Sequence, residues 1–370
     1  MSSALSVAIE IVFIMLVSGV VSGMLLPRIS LLAFRNRLFD KADRRKTHSG
    51  LVPRLGGLTF FPCICITLAL ALILRHFVNG YSLWLDANAV QPMLSFIALL
   101  LIYVVGAVDD VWGVRYRSKL VVQLLCGVLI VWSGLYFDNF YGALGLYELP
   151  RWFAYPFTVL VLMLICNAMN FIDGIDGLAA GITIMACCYI GTVFLIVANY
   201  SFGFMAFAAV GTLLPFFFFN VFGSVKRGRK IFMGDAGSLT IGLILGIMVL
   251  NLSRTEQIYT ETGVNPVVAA MSPLIVPVFD LLRVILFRIV KHHSPFLPDR
   301  NHIHHRLMRV GLSQHQTLAV LLLTMVAFTC FNIFMSRLTT ATLIFFADVA
   351  VWAVLHACVE RIVSFGRRKS

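Results

Sequence analysis

The chain has 370 residues, of which 60% are hydrophobic and only 12% charged, and its mean hydropathy is +0.92. No soluble globular domain has that composition. The net charge of +12 suggests nucleic acid, but basic residues collect on the cytoplasmic side of membrane proteins and account for it; no nucleic-acid partner is expected.

Apolar runs of about 20 residues, each able to cross about 30 Å of hydrocarbon, recur from end to end. In chain order they predict spans near 7–27, 57–78, 92–108, 119–136, 152–169, 178–197, 203–222, 237–252, 266–288, 315–335 and 341–362. The expectation is an all-α polytopic membrane protein with about eleven transmembrane helices. The first run lacks a basic start and a small-residue cleavage site, so it is read as a retained span, not a signal peptide. Connections 28–56, 109–118, 223–236, 289–314 and 363–370 are crowded with Lys and Arg, whereas 79–91, 137–151, 198–202, 253–265 and 336–340 hold few. The positive-inside rule places the first set in the cytoplasm, the N-terminus outside and the C-terminus inside. The eight Cys lie almost entirely in apolar runs, where they act as small hydrophobes. No internal repeat or soluble domain is visible, so residues 1–370 form one integral-membrane domain. Its polar loops, near 28–56, 109–118, 170–177, 223–236 and 289–314, face the cytoplasm.

Five stretches on that face carry the chemistry. FDKADRRKTHSGLVPRLGG (39–57) packs Lys41, Arg44, Arg45, Lys46 and His48 ahead of Gly56-Gly57, a pair that lets backbone approach a ligand or helix closely. GAVDDVWGVRYRSKL (106–120) ends a span with Asp109 and Asp110; neighbouring carboxylates invite a bound cation or a raised pKa. NAMNFIDGIDGL (167–178) puts Asn167 and Asn170 on one helical face, with Asp173 near it, before Gly174 and Gly177 break the helix. Hard oxygen donors of this kind suit Mg²⁺ bound together with phosphates. KRGRKIFMGDAGSL (226–239) sets Asp235 between glycines at a helix start, a natural anion site. HHSPFLPDRNHIHHRLMRVG (292–311) clusters His302, His304 and His305 beside Asp299, Arg300 and Arg306, which suits sugar and phosphate contacts better than zinc. Acids for a hard cation and bases for phosphates, all on one membrane face, point to phosphoryl transfer between a soluble nucleotide substrate and a lipid phosphate.

These motifs match a known family. VDD (108–110), NAMNFIDGIDGL (167–178), FMGDAGS (232–238) and HIHH (302–305), with DKADRRKTHSGLVPRLGG (40–57) as a fifth element, resemble the polyprenyl-phosphate N-acetylhexosamine-1-phosphate transferases. The HIHH setting is similar to the undecaprenyl-phosphate N-acetylglucosaminyl-1-phosphate branch. One departure is that Gly113 stands where aspartate-rich members carry a third carboxylate.

The resemblance implies that UDP-N-acetylglucosamine and undecaprenyl phosphate yield undecaprenyl-diphosphate-N-acetylglucosamine and UMP. It implies Mg²⁺, with Mn²⁺ as a substitute, an inner-membrane location in bacteria, often a homodimer, and a product that starts O-antigen or related surface polymers. In the mechanism expected, the lipid phosphate attacks the β-phosphorus. Asp235 and Asn170 hold the metal. Asp109 or Asp110 sits beside the lipid phosphate, and Lys119 and Lys46 contact phosphates. Asp173, Asp176 and Asn167 lie around the nucleotide or the metal's outer ligands. His302, His304 and His305, with Arg300, line the sugar and pyrophosphate, and His48 is a further substrate-binding residue. Asp280 pairs with Arg283. A covalent route through Asp109 or Asp110, a sister enzyme using another UDP-N-acetylhexosamine, and an ion-coupled transporter are the competing readings.

Overall fold

The computed structural model describes residues 3–36, 38, 52–79, 90–292 and 301–367. Its helices in chain order are α1 (Ser3–Arg35), α2 (Phe60–Asn79), α3 (Val90–Trp112), α4 (Tyr116–Trp132), α5 (Arg151–Ile172), α6 (Leu178–Ile196), α7 (Tyr200–Phe222), α8 (Gly234–Ser253), α9 (Glu256–Thr262), α10 (Pro266–Met271), α11 (Ile275–Val290), α12 (Ile303–Arg309), α13 (Gln314–Met335) and α14 (Ala341–Arg367). Among the described residues there is no strand, only one isolated bridge between Asn139 and Glu148. Among the described residues nine helices are long and apolar enough to cross a membrane, so the chain is a multi-pass membrane protein. Every one of the expected spans falls on a helix. The two outside the nine are α4, which is short, and the run 266–288. That run divides into α10 and α11 at the turn Ser272–Leu274, where Pro273 has no N–H to continue the helical ladder.

The chain divides into two compact units. The first comprises Met1–Leu135 and Thr183–Leu245. In it α1 packs along α7, with Ser22 Oγ donating to the Thr212 carbonyl at 2.8 Å. Phe60 and Phe216 meet edge-on at 5.1 Å. The segment entering α2 runs beside the segment entering α8: Phe232 N–H donates to Pro53 O (2.8 Å), Gly56 N–H to Phe232 O (3.0 Å) and Gly57 N–H to Met233 O (2.7 Å). A Cβ on Gly57 would collide with the backbone of Gly237, and one on Gly106 with the backbone of Ala236. The Gly56-Gly57 pair thus serves approach to a neighbouring helix. The α8 helix is apolar on every face beyond its first turn and is almost wholly buried, as such a sequence requires.

The second unit comprises Tyr136–Ile182 and Gly246–Ser370. Here α5 packs on α11, and α12 on α13 and α14. Local chemistry fixes the ends. Asn265 caps α10 by accepting from Val267 and Val268 N–H, with Pro266 at the first helical position, where a missing N–H costs nothing. Ser313 and Gln316 form a reciprocal capping box on α13. Buried polar groups pair across helices: Asn332 Nδ2 donates to Asp348 Oδ2 (2.9 Å) and Ser272 Oγ (3.1 Å).

Candidate active site

Two polar clusters emerge, one in each unit. In the first unit α3 ends on Asp109 and Asp110, α4 begins just before Lys119, and Asp235 lies in the first turn of α8. Lys119 Nζ donates to Asp109 Oδ2 at 3.1 Å and to Asp235 Oδ2 at 2.6 Å. Asp109 Oδ1 also accepts from Val114 N–H, which ties the carboxylate to the α3–α4 turn. Asp110 has a different task. Its two oxygens accept from Asp235 N–H (2.7 Å) and Ala236 N–H (2.9 Å), so it caps α8 from a distant part of the chain.

That arrangement revises one sequence expectation. The start of α8, expected as an open anion site, is filled by the protein's own Asp110. Charge-assisted bonds of this kind satisfy the free N–H groups that a helix start exposes. Asp109 and Asp110 are adjacent in sequence yet face separate partners, which relieves their mutual repulsion.

The cluster places three carboxyl groups around one ammonium. Its donors are hard oxygens. Among the described residues no group of three or more His, Cys, Asp or Glu is arranged to hold a metal ion. Carboxylate oxygens are the donor type that suits a hard cation such as Mg²⁺.

In the second unit α5 ends at Ile172 with Asp173 at its C-cap, and the turn 173–177 leads to α6. Asn167, Asn170, Asp173 and Asp176 are half-buried there; Asn167 donates its amide to the Met163 carbonyl at 2.7 Å. The His304 ring rests on Gly174, where a Cβ would collide with its Nε2. Gly174 is therefore needed for close approach, while Gly177 supplies the turn's left-handed backbone at φ 79°. His302 is 4% and His304 1% exposed. Their rings are parallel (7°) with centroids 5.8 Å apart, Phe171 stacks on His302 at 5.4 Å, and His305 meets His304 at 4.2 Å. Burial, with His305 and His302 beside it, pushes His304 down to about 3, so its imidazole is neutral at physiological pH.

One buried carboxylate anchors this loop. Asp280, on α11, accepts from His302 Nδ1 (2.8 Å), Ile303 N–H (3.0 Å) and Arg283 Nη2 (3.1 Å). Arg283 and Arg306 both donate to the Asn301 carbonyl, and Arg306 pairs with Glu360 of α14 at 2.7 Å. The expected Asp280–Arg283 pair is present, but it is one part of a hub that the sequence reading missed. An ionisable residue inside an apolar run was the available signal.

The structure brings Asp109, Asp110, Lys119 and Asp235 together in the first unit. His302, His304 and His305 gather in the second, with His304 against the turn that carries Asp173 and Asp176. The expected metal pair divides: Asp235 belongs to the first unit and Asn170 to the second. Lys46, His48 and Arg300 lie outside the described residues.

A family model described as glycosyl transferase family 4 matches residues 92–253. The chain is similar to proteins named undecaprenyl-phosphate alpha-N-acetylglucosaminyl 1-phosphate transferase. One is from Yersinia pestis, 31% identical over 83% of this chain and 79% of the relative. Another is from Escherichia coli strain K12, 33% identical over 78% and 74%. A Bacillus subtilis protein named as a probable undecaprenyl-phosphate N-acetylglucosaminyl 1-phosphate transferase is 31% identical over 85% and 82%.

Proposed function

Because the chain belongs to glycosyl transferase family 4, among the undecaprenyl-phosphate N-acetylglucosaminyl 1-phosphate transferases, we propose that it transfers N-acetylglucosamine 1-phosphate from UDP-N-acetylglucosamine to undecaprenyl phosphate and releases UMP. The observation that carries this reading is identity of 31–33% sustained over about three quarters or more of both chains. The first-unit cluster supports it, since phosphoryl transfer asks a protein mainly for positioning and charge neutralisation.

In the reaction an oxygen of the lipid phosphate bonds to the β-phosphorus, the bond from that phosphorus to the bridging oxygen breaks, and UMP carries the electron pair away. A phosphate monoester with second pKa near ~6 is mostly dianionic at pH 7, so no strong base is required. Lys119 bridges Asp109 and Asp235, and two of its three N–H donors are engaged. The third is suited to a phosphate oxygen. Asp235 is the carboxylate we assign to Mg²⁺, and Mn²⁺ would fit the same hard oxygen chemistry. When bound, the metal supplies charge neutralisation to the diphosphate. Asp110 acts by positioning α8. Direct attack is favoured over an aspartyl-phosphate intermediate, because both oxygens of Asp109 and both of Asp110 are already engaged.

Asp173, Asp176 and Asn167 are assigned to the nucleotide, and the histidine loop to the sugar side. The site faces the cytoplasm at a bacterial inner membrane, with the N-terminus outside, supported by the Lys and Arg asymmetry of the connections. A homodimer is proposed on the family resemblance.

The test is UMP release by purified protein given UDP-N-acetylglucosamine, with and without undecaprenyl phosphate, and with Mg²⁺ or EDTA. Release that needs both lipid and metal is expected. Release only with a different UDP-sugar would move the enzyme to a sister specificity, and silence with every donor would sink the transferase.

A further inference from the structure

The bonding around Asp280 determines which nitrogen of His302 carries the proton. Asp280 is 1% exposed, and its two oxygens accept from Arg283, the Ile303 N–H and His302 Nδ1. An ionised carboxylate only accepts, so Nδ1 must be the protonated nitrogen. Arg283 already balances the charge of Asp280 at 3.1 Å. His302 Nδ1 lies nearer still, at 2.8 Å. In the neutral ring that arrangement leaves Nε2 bare. That Nε2 is buried and has no hydrogen-bond partner. Phe171 and His304 both stack on the ring, and the Nδ1 bond fixes its rotation.

We infer that Asp280 is a positioning residue that locks His302 in its Nδ1–H tautomer, so that Nε2 serves as an acceptor for an O–H or N–H of the donor sugar. Bare phosphate oxygens are acceptors too, and acceptor facing acceptor is repulsive. His302 thus belongs to sugar recognition and not to the pyrophosphate. The identity of the ligand rests on the transferase reading; the tautomer does not.

Two arms test this. In the first, protein labelled with ¹⁵N-histidine is examined by NMR at pH 7.5, with His302→Gln used to assign the resonance. A protonated Nδ1 with an unprotonated Nε2 is expected; an Nε2–H tautomer or an imidazolium overturns the inference. Asp280→Asn keeps the shape. Its amide oxygen still accepts from Arg283 and Ile303, while its NH₂ donates to Nδ1 and forces the proton onto Nε2.

In the second arm, kcat/KM is compared for UDP-N-acetylglucosamine and for analogues lacking one hydroxyl or bearing an N-methylated acetamide. The unmodified enzyme should lose about tenfold on one analogue, and which analogue suffers separates a hydroxyl from the acetamido N–H. Asp280→Asn, eluting as a folded protein, should lose that discrimination. The same penalty on every analogue in both proteins overturns the sugar contact. Failure to release UMP from any UDP-sugar would defeat the transferase reading and the sugar ligand together, while the NMR result would still decide the tautomer.

Discussion

The acidic cluster and the histidine cluster solve opposite problems. In the first, Lys119, Asp109, Asp110 and Asp235 satisfy one another and nearby backbone N–H groups. In the second, one carboxylate holds a loop whose rings keep polar atoms unpaired: His302 Nε2 and His304 Nδ1 and Nε2 are buried without partners. A buried unpaired polar atom costs about 1–3 kcal/mol, so a hydrogen-bonding group that reaches these rings gains by completing them. The comparison separates a region prepared for charge from a region prepared for neutral hydrogen bonding.

The sharpest way to break the comparison is Asp235→Asn. It should lower kcat about a thousandfold, as removal of a central electrostatic group does, with an unchanged elution profile. Near-normal turnover at saturating Mg²⁺ would remove Asp235 from the metal. Lys119→Ala comes next: KM for one phosphate substrate should rise about tenfold, since a charge-assisted bond is lost. Unchanged KM and kcat would exclude Lys119 from substrate contact.

Two glycine substitutions then compare the regions by stability. Gly57→Ala presses on backbone, which cannot yield locally, and should cost about 1–3 kcal/mol or more of overpacking. Gly174→Ala presses on the His304 ring, a side chain that has room to turn only by leaving its stack. Its loss of thermal stability should be smaller than that of Gly57→Ala, and its loss of activity larger in proportion. Equal shifts in apparent Tm would mean the histidine stack is as unyielding as backbone.

The smallest effect concerns pH. His304 is depressed to about 3 by burial and its histidine neighbours, against about 6.5 when unfolded. Between those values the unfolded chain binds the extra proton, so stability is complete above about 6.5 and declines as pH falls towards about 3. Apparent Tm in detergent should drop from pH 7.5 to 5, and His304→Gln should flatten part of that slope. An identical slope in the variant would assign the effect to other groups.

Much of this was legible in the chain. Long apolar runs and the Lys and Arg asymmetry encode helices directly, because each reports on local burial and membrane side. Asp109, Asp235, Asn170 and the histidines stood out as polar groups beside apolar runs. What could not be read was pairing at long range. Asp110 caps a helix 125 residues away, and no local pattern distinguishes its carboxylate from that of Asp109. Likewise Asp280 reaches His302 over 22 residues, and Gly174 resembles any turn glycine until the His304 ring is placed on it. The division at Ser272–Leu274 had a visible sign in Pro273, but hydropathy alone ran through it.

The contacts of Gly57 and Gly106 with the first turn of α8 have a further consequence. Backbone meets backbone on Gly237 and Ala236, with no flexible side chain between to absorb motion. The turn that carries Asp235 is thereby gripped by main chain, and its dipoles are frozen before any substrate arrives. When charge migrates from an attacking oxygen to a leaving one, such a turn has little to rearrange, so the reorganisation energy that water would demand is largely absent.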